Sequence, residues 1–151
     1  MSLPAGGGIY PSVIIKGEFM AEFEIPKNGQ ICWRELATKD LAAAKGFYSD
    51  LFGWNLEKSK VSTAMDYFEI HIDDKAVGGM LEINEAWGEN PPPSHWTSYI
   101  AVDNVDETVQ KIVENGGSVR VPPFNAPGVG RMSMVMDPSG AGFSIIQFEK
   151  S

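Results

Sequence analysis

Residues 33–54 read WRELATKDLAAAKGFYSDLFGW, and this stretch decides the fold. From Asp40 onward apolar residues recur at helical spacing, with Leu41, Ala44, Tyr48 and Leu51 on one stripe. Asp40 suits an N-cap, because its carboxylate can accept from the free amides of the first turn. Gly53 suits a C′ position that needs positive φ. Residues 30–39 before it read as a strand, so Trp33 and Glu35 share one face and Arg34 and Leu36 the other. A large aromatic beside a carboxylate is an unusual pair for a core.

The pattern returns further along. In NVDETVQKIVENGG, residues 104–117, Asn104 caps, Val105, Val109, Ile112 and Val113 form the stripe, and Gly116–Gly117 end it. Short runs rich in β-formers fill the rest, bounded by Gly, Pro or Asp. Trp33 precedes its capping residue by the same interval as Thr97, 64 residues on, precedes Asn104. Gly53, Asp73 and Gly78 map onto Gly117, Asp137 and Gly142 with that same offset. The repeat predicts two β-α-β-β-β units, residues 28–83 and 95–151. A Pro-rich linker, 84–94, joins them, since three successive prolines cannot enter a central strand. Residues 1–27 form an arm that could add a strand or hairpin.

The 151 residues carry a net charge of −8, which argues against nucleic acid or an anionic membrane as partner. One cysteine, Cys32, allows no internal disulfide and suits a reducing, cytoplasmic setting. No apolar run approaches the ~18 residues of a membrane helix, and the start lacks the pattern of a signal peptide.

The helix motif D-x-x-x-A-x-x-F-Y-x-x-x-F-G-W, together with YIAVDNVDETVQKIVENGGSV and the closing D-P-x-G strand turn, resembles the vicinal oxygen chelate superfamily. This is the glyoxalase/bleomycin resistance/dioxygenase group. The resemblance covers residues 28–149 and implies an α+β fold, with two tandem βαβββ modules curling a mixed sheet around a shared concave cavity and the helices outside. It also implies a homodimer and a small-molecule ligand.

Enzymes of that group hold a divalent metal with His, Gln or Glu from the first and last strands of each module. Carried over by position, those seats hold Trp33, Thr97, Met80 and Ser144. None is a good ligand for a hard cation. The expectation is therefore a member with no metal site and no cofactor.

Strand parity places Leu36, Ile100 and Val102 under the helices, and Trp33, Glu35, Thr97 and Tyr99 on the cavity side. In YFEIHI, Phe68, Ile70 and Ile72 belong under the helix, which sends Glu69 and His71 the other way. The repeat offset then assigns Met132, Met134 and Met136 to the core and Arg131, Ser133 and Val135 to the cavity. Trp33, Tyr99 and Met80 would form an apolar, polarisable wall, with Glu35, Thr97 and Ser144 as polar anchors. Glu35 could pair structurally with Arg131, bind a ligand, or act as a general base with a raised pKa. His71 and Arg131 are the other catalytic candidates. Cys32 reads as buried and inert.

Two functions follow. The first is a metal-free binding protein for a small, partly aromatic ligand. The second is a metal-independent lyase or isomerase in which Glu35 takes a proton and Arg131 or Tyr99 holds the developing oxyanion. A divalent-metal lyase or dioxygenase ranks below both.

Overall fold

A computed structural model describes residues 25–60 and 66–149. Most of the proposed arm therefore lies outside the described residues. The chain order is β1 (Ile31–Thr38), α1 (Leu41–Phe52), β2 (Asn55–Lys58), β3 (Tyr67–Ile72) and β4 (Lys75–Glu82). A short 3-10 turn, Glu85–Trp87, follows. The second half repeats the order as β5 (His95–Ala101), α2 (Val105–Glu114), β6 (Ser118–Ala126), β7 (Gly130–Met136) and β8 (Gly142–Phe148).

All the strands join one eight-stranded mixed sheet in the order β2-β3-β4-β1-β5-β8-β7-β6. The first strand of each half meets the other at the centre, antiparallel, with Trp33 opposite Tyr99 and Glu35 opposite Thr97. Each pairs in parallel with the last strand of its own half, β1 with β4 and β5 with β8. The sheet does not close. This is the two-helix α+β architecture that the sequence predicts.

The helix ends follow from their caps. Asp40 accepts from the Ala43 amide and Asn104 from the Glu107 amide, each satisfying a donor the helix leaves free. Gly53 ends α1 in the left-handed region, at φ 71°. Under α1, Leu36, Leu41, Ile70 and Met80 form a buried cluster with Ala44, Tyr48 and Phe68 against it. Each large side chain there stabilises the fold by about 1.5–3 kcal/mol. Leu51 and Val113, expected on the buried stripes, are exposed; α1 and α2 each touch the sheet over a narrower arc than their sequence patterns suggest. Pro122 and Pro123 sit in β6, an edge strand, where a missing amide breaks no inner ladder.

The register corrects one expectation with several consequences. Glu35 pairs with Gly79, whereas Tyr99 pairs with Ser144. The offset is thus 64 residues on the first strands but one more on the last. Phe68 opposes Met80 as Ser133 opposes Ile145, so the extra residue carries through β3 and β7. A one-residue slip turns a strand's faces over. Met80 therefore packs under α1 rather than lining the cavity, and Gly79 takes its place. In β7 this register puts Arg131 and Ser133 on the α2 side and turns Met132, Met134 and Met136 to the concave side, while Val135 still borders the cavity as expected.

Candidate functional site

At the centre of the concave face, β1 carries Glu35, only 3% exposed. Tyr67 on β3 donates its hydroxyl to Glu35 Oε1 at 2.8 Å. Tyr99 on β5 lies 3.2 Å from Oε1 and 3.1 Å from Oε2. Behind Tyr67, the Trp33 indole Nε1–H donates to the Tyr67 hydroxyl at 2.8 Å. Gly79 makes this possible, because a Cβ there would run into the Tyr67 ring. An indole, two phenols and a carboxyl from β1, β3 and β5 thus form one buried hydrogen-bonded chain.

Burial pushes the Glu35 pKa up to about 7, against the opposing pull of the two tyrosine hydroxyls. The same burial, with the neighbouring carboxylate, holds both tyrosines well above the usual phenol range. Both phenols remain protonated donors.

Glu35 also borders a cavity of about 640 Å³. Thr97 and Ser144 line it beside Glu35, and Ala37, Leu81, Trp87, Val121 and Met134 give it apolar surface. Trp87 packs against the cluster of Ala37, Tyr67, Leu81 and Ile83. Pro92, Pro93, His95 and Arg120 also border it. His95 Nδ1 sits 2.7 Å from the Pro93 carbonyl, so Nδ1 carries the proton and the linker turn is pinned.

Of the six residues expected to bind ligand, Glu35, Thr97 and Ser144 line the cavity. Tyr99 bonds Glu35 directly, Trp33 holds it only through the Tyr67 hydroxyl, and Met80 is on the helix side. The two other catalytic candidates are not brought to Glu35. His71 pairs with Glu69 at 3.0 Å and, at 3.8 Å, with Glu57 near the β2 edge of the sheet; its hydrogen bond to Glu69 raises its pKa. Arg131 makes a two-pronged pair with Asp106 of α2, at 2.7 and 3.0 Å, and bonds Asn125. The expected Glu35–Arg131 pair and the inward-facing Arg131 are both corrected.

Sequence reasoning missed Tyr67, Trp87 and Arg120. Tyr67 shares the parity of Glu69, which was enough to put it on the concave side. Trp87 and Arg120 carried no such signal, since one lies in the linker turn and the other at a strand irregularity.

A divalent metal, implied by the resemblance, does not fit these residues. The four seats hold Trp33, Thr97, Gly79 and Ser144, without a carboxylate or imidazole among them. Glu35, the nearest carboxylate, is engaged by two hydroxyls. Among the described residues no group of three or more His, Cys, Asp or Glu could hold an ion, and no helix is long and apolar enough to cross a membrane.

Comparison with known proteins agrees with this architecture. The family model of the Glyoxalase/Bleomycin resistance protein/Dioxygenase superfamily matches residues 30–145. A Mycobacterium tuberculosis protein named "Putative glyoxylase CFP32" is 37% identical over 122 residues, 80% of this chain and 46% of the relative. The anthracycline biosynthesis protein DnrV of Streptomyces peucetius is 30% identical over 127 residues, 78% of this chain and 46% of its own length. The chain thus spans about half the length of these curated relatives. Among solved structures, methylmalonyl-CoA epimerase from Mycobacterium tuberculosis superimposes with a TM-score of 0.54 at 14% identity, covering 81% of this chain and 89% of that one. Hypothetical protein BH1468 from Bacillus halodurans gives 0.56 at 14% identity, with 82% and 96% covered. At such identities the structures speak for the fold alone, while the family model and the sequence relatives place the chain itself: it belongs to the glyoxalase/bleomycin resistance protein/dioxygenase superfamily.

Proposed function

We propose that this chain is a binding protein for a small, partly aromatic molecule, and that it holds its ligand without a divalent metal. The observation that carries the reading is the Trp33–Tyr67–Glu35–Tyr99 chain, in which the carboxyl nearest the metal seats is bonded by two phenols. The cavity supports it as well. Its apolar border with a few polar groups, Glu35, Thr97 and Ser144, has the make-up of a small-ligand site. One relative is named an anthracycline biosynthesis protein. Exposed Phe47, Leu51 and Phe52 on α1 support a homodimer, which sedimentation would check.

Metal analysis of protein purified without chelator, followed by ligand titration before and after EDTA, tests the reading. Metal well below one equivalent and unchanged affinity are expected. A stoichiometric cation whose removal abolishes binding would sink it.

A second reading is favoured by one observation: Glu35 borders the cavity with a pKa near neutrality. Glu35 would then serve as a metal-independent general base in a lyase or isomerase, with Tyr99 as the donor that steadies the charge. Glu35→Gln separates the two. A fall in turnover of ~10²-fold or more with affinity retained supports the base; retained affinity with no turnover in either protein supports binding.

A further inference from the structure

Among the described residues, Arg120 is the one arginine or lysine that borders the cavity. Its position comes from a backbone irregularity. Val119 opposes Val135 and Val121 opposes Met134, so Arg120 is an extra residue on β6 with no partner on β7. Such a bulge bends the strand and re-aims the side chain it carries. The Arg131 guanidinium is engaged by Asp106, and Arg34 reaches the Trp33 carbonyl. Arg120, exposed, has no ion pair or side-chain hydrogen bond among the described residues.

In a chain with net charge −8, an unpaired guanidinium on the border of a largely apolar cavity, across from the buried Glu35 and the hydroxyls of Thr97 and Ser144, is an attractor for anions. Its planar fork matches a carboxylate in a two-point contact. A dianionic phosphate would call for a second cation, and the other basic side chain on the border among the described residues, His95, has Nδ1 committed to Pro93. Trp87, Leu81 and Met134 offer surface to an apolar body, and Thr97 and Ser144 offer hydroxyls to a polar atom on it. Resting on the binding reading above, and naming its ligand class, we propose that the cavity takes a planar apolar molecule bearing one carboxylate, anchored by Arg120.

Calorimetric titration of matched pairs tests this, using benzoate, 2-naphthoate and anthracene-2-carboxylate, each against its carboxamide. The wild-type protein is expected to bind at least one carboxylate about tenfold or more tighter than its amide, a preference that weakens as salt rises. Arg120→Gln should bring the ratio to within about twofold, while Arg120→Lys keeps part of it, since a point charge lacks the fork. Unchanged melting confirms that the variants fold. Equal binding of acid and amide by the wild type, or a preference that survives Arg120→Gln, overturns the anchor while leaving the binding reading in place. Tighter binding of phenyl phosphate than of every carboxylate overturns the ligand class. Failure of acids and amides alike at every ring size counts against both the binding reading and the inference built on it.

Discussion

The Tyr99 hydroxyl lies 3.2 Å from Oε1 and 3.1 Å from Oε2 of Glu35, so a single phenol spans both oxygens of a carboxyl buried in the sheet. With Tyr67 on Oε1, the carboxyl has two hydroxyl donors and, among the described residues, no salt bridge to a cation. That balance explains why burial outweighs hydrogen bonding in setting its pKa.

The consequence for stability can be measured. Below the ordinary Glu pKa of 4.5 the proton is bound in folded and unfolded chains alike, and Glu35 contributes no pH dependence. As pH rises from there to about 7, only the folded chain keeps the proton, so stability falls across this window and levels off above it. At 1.36 kcal/mol per pKa unit the loss is on the order of 3 kcal/mol. His71, also raised, loses stabilisation as pH climbs through its folded pKa, so the wild-type curve mixes the two. Denaturant melts of wild type and Glu35→Gln between pH 4 and 8.5 should differ by a term confined to the Glu35 window. Parallel curves would mean that Glu35 titrates in the folded chain near its ordinary value.

Gly79 tests the packing behind that carboxyl. Its missing side chain is the space that the Tyr67 ring occupies. Gly79→Ala should displace Tyr67, remove a donor from Glu35, and destabilise by about 1–3 kcal/mol through overpacking. Gly79→Ala combined with Tyr67→Phe should recover little, because the ring itself is in conflict. A melting temperature unchanged by Gly79→Ala would show that the ring can move at no cost.

Cys32 should be chemically quiet. Burial pushes its thiol up to about 12, against the weaker opposing pull of a backbone hydrogen bond and the Arg34 charge. Its Sγ lies 3.6 Å from the Tyr99 carbonyl. At pH 8 the thiolate fraction is then roughly 10³-fold below that of a free cysteine. Iodoacetamide should label the native protein slower by about that factor, and urea should restore ordinary rates. Rapid labelling of the native chain would contradict the burial.

How much of this was readable from the chain alone is best seen strand by strand. The helices announced themselves through Asp40, Gly53 and Asn104, whose caps are local chemistry. The inner face of β1 was legible because Leu36 must meet a helix, which sends Trp33 and Glu35 to the opposite side. The face of β7 was not. Met-Ser-Met-Val-Met offers apolar residues at nearly every position, so hydrophobicity sets no parity. Its orientation was borrowed from β3 by an offset that is one residue short there. Nothing local to Arg131 or Met80 reveals that extra residue, which appears only once strands are paired. Arg120 was hidden for a related reason, since a bulge is a property of two strands together.

Arg131 gives the sharpest test of that register. Were β7 the other way round, Arg131 would stand among the ligand contacts, and Arg131→Ala would weaken binding of any anionic ligand. With the pairing found here it clamps the first turn of α2 instead, its guanidinium on both oxygens of Asp106. That contact holds the Asp106 pKa below its ordinary value, chiefly through the hydrogen bond. The pair therefore adds stability above the ordinary Asp pKa and loses it as pH falls through the lowered value. Arg131→Ala should leave ligand affinity within about twofold, in contrast to Arg120→Gln, while the Asp106 carboxyl returns toward the usual Asp range in an NMR titration. The two readouts move oppositely under the two registers: a large loss of affinity with an unmoved Asp106 would place Arg131 back in the cavity.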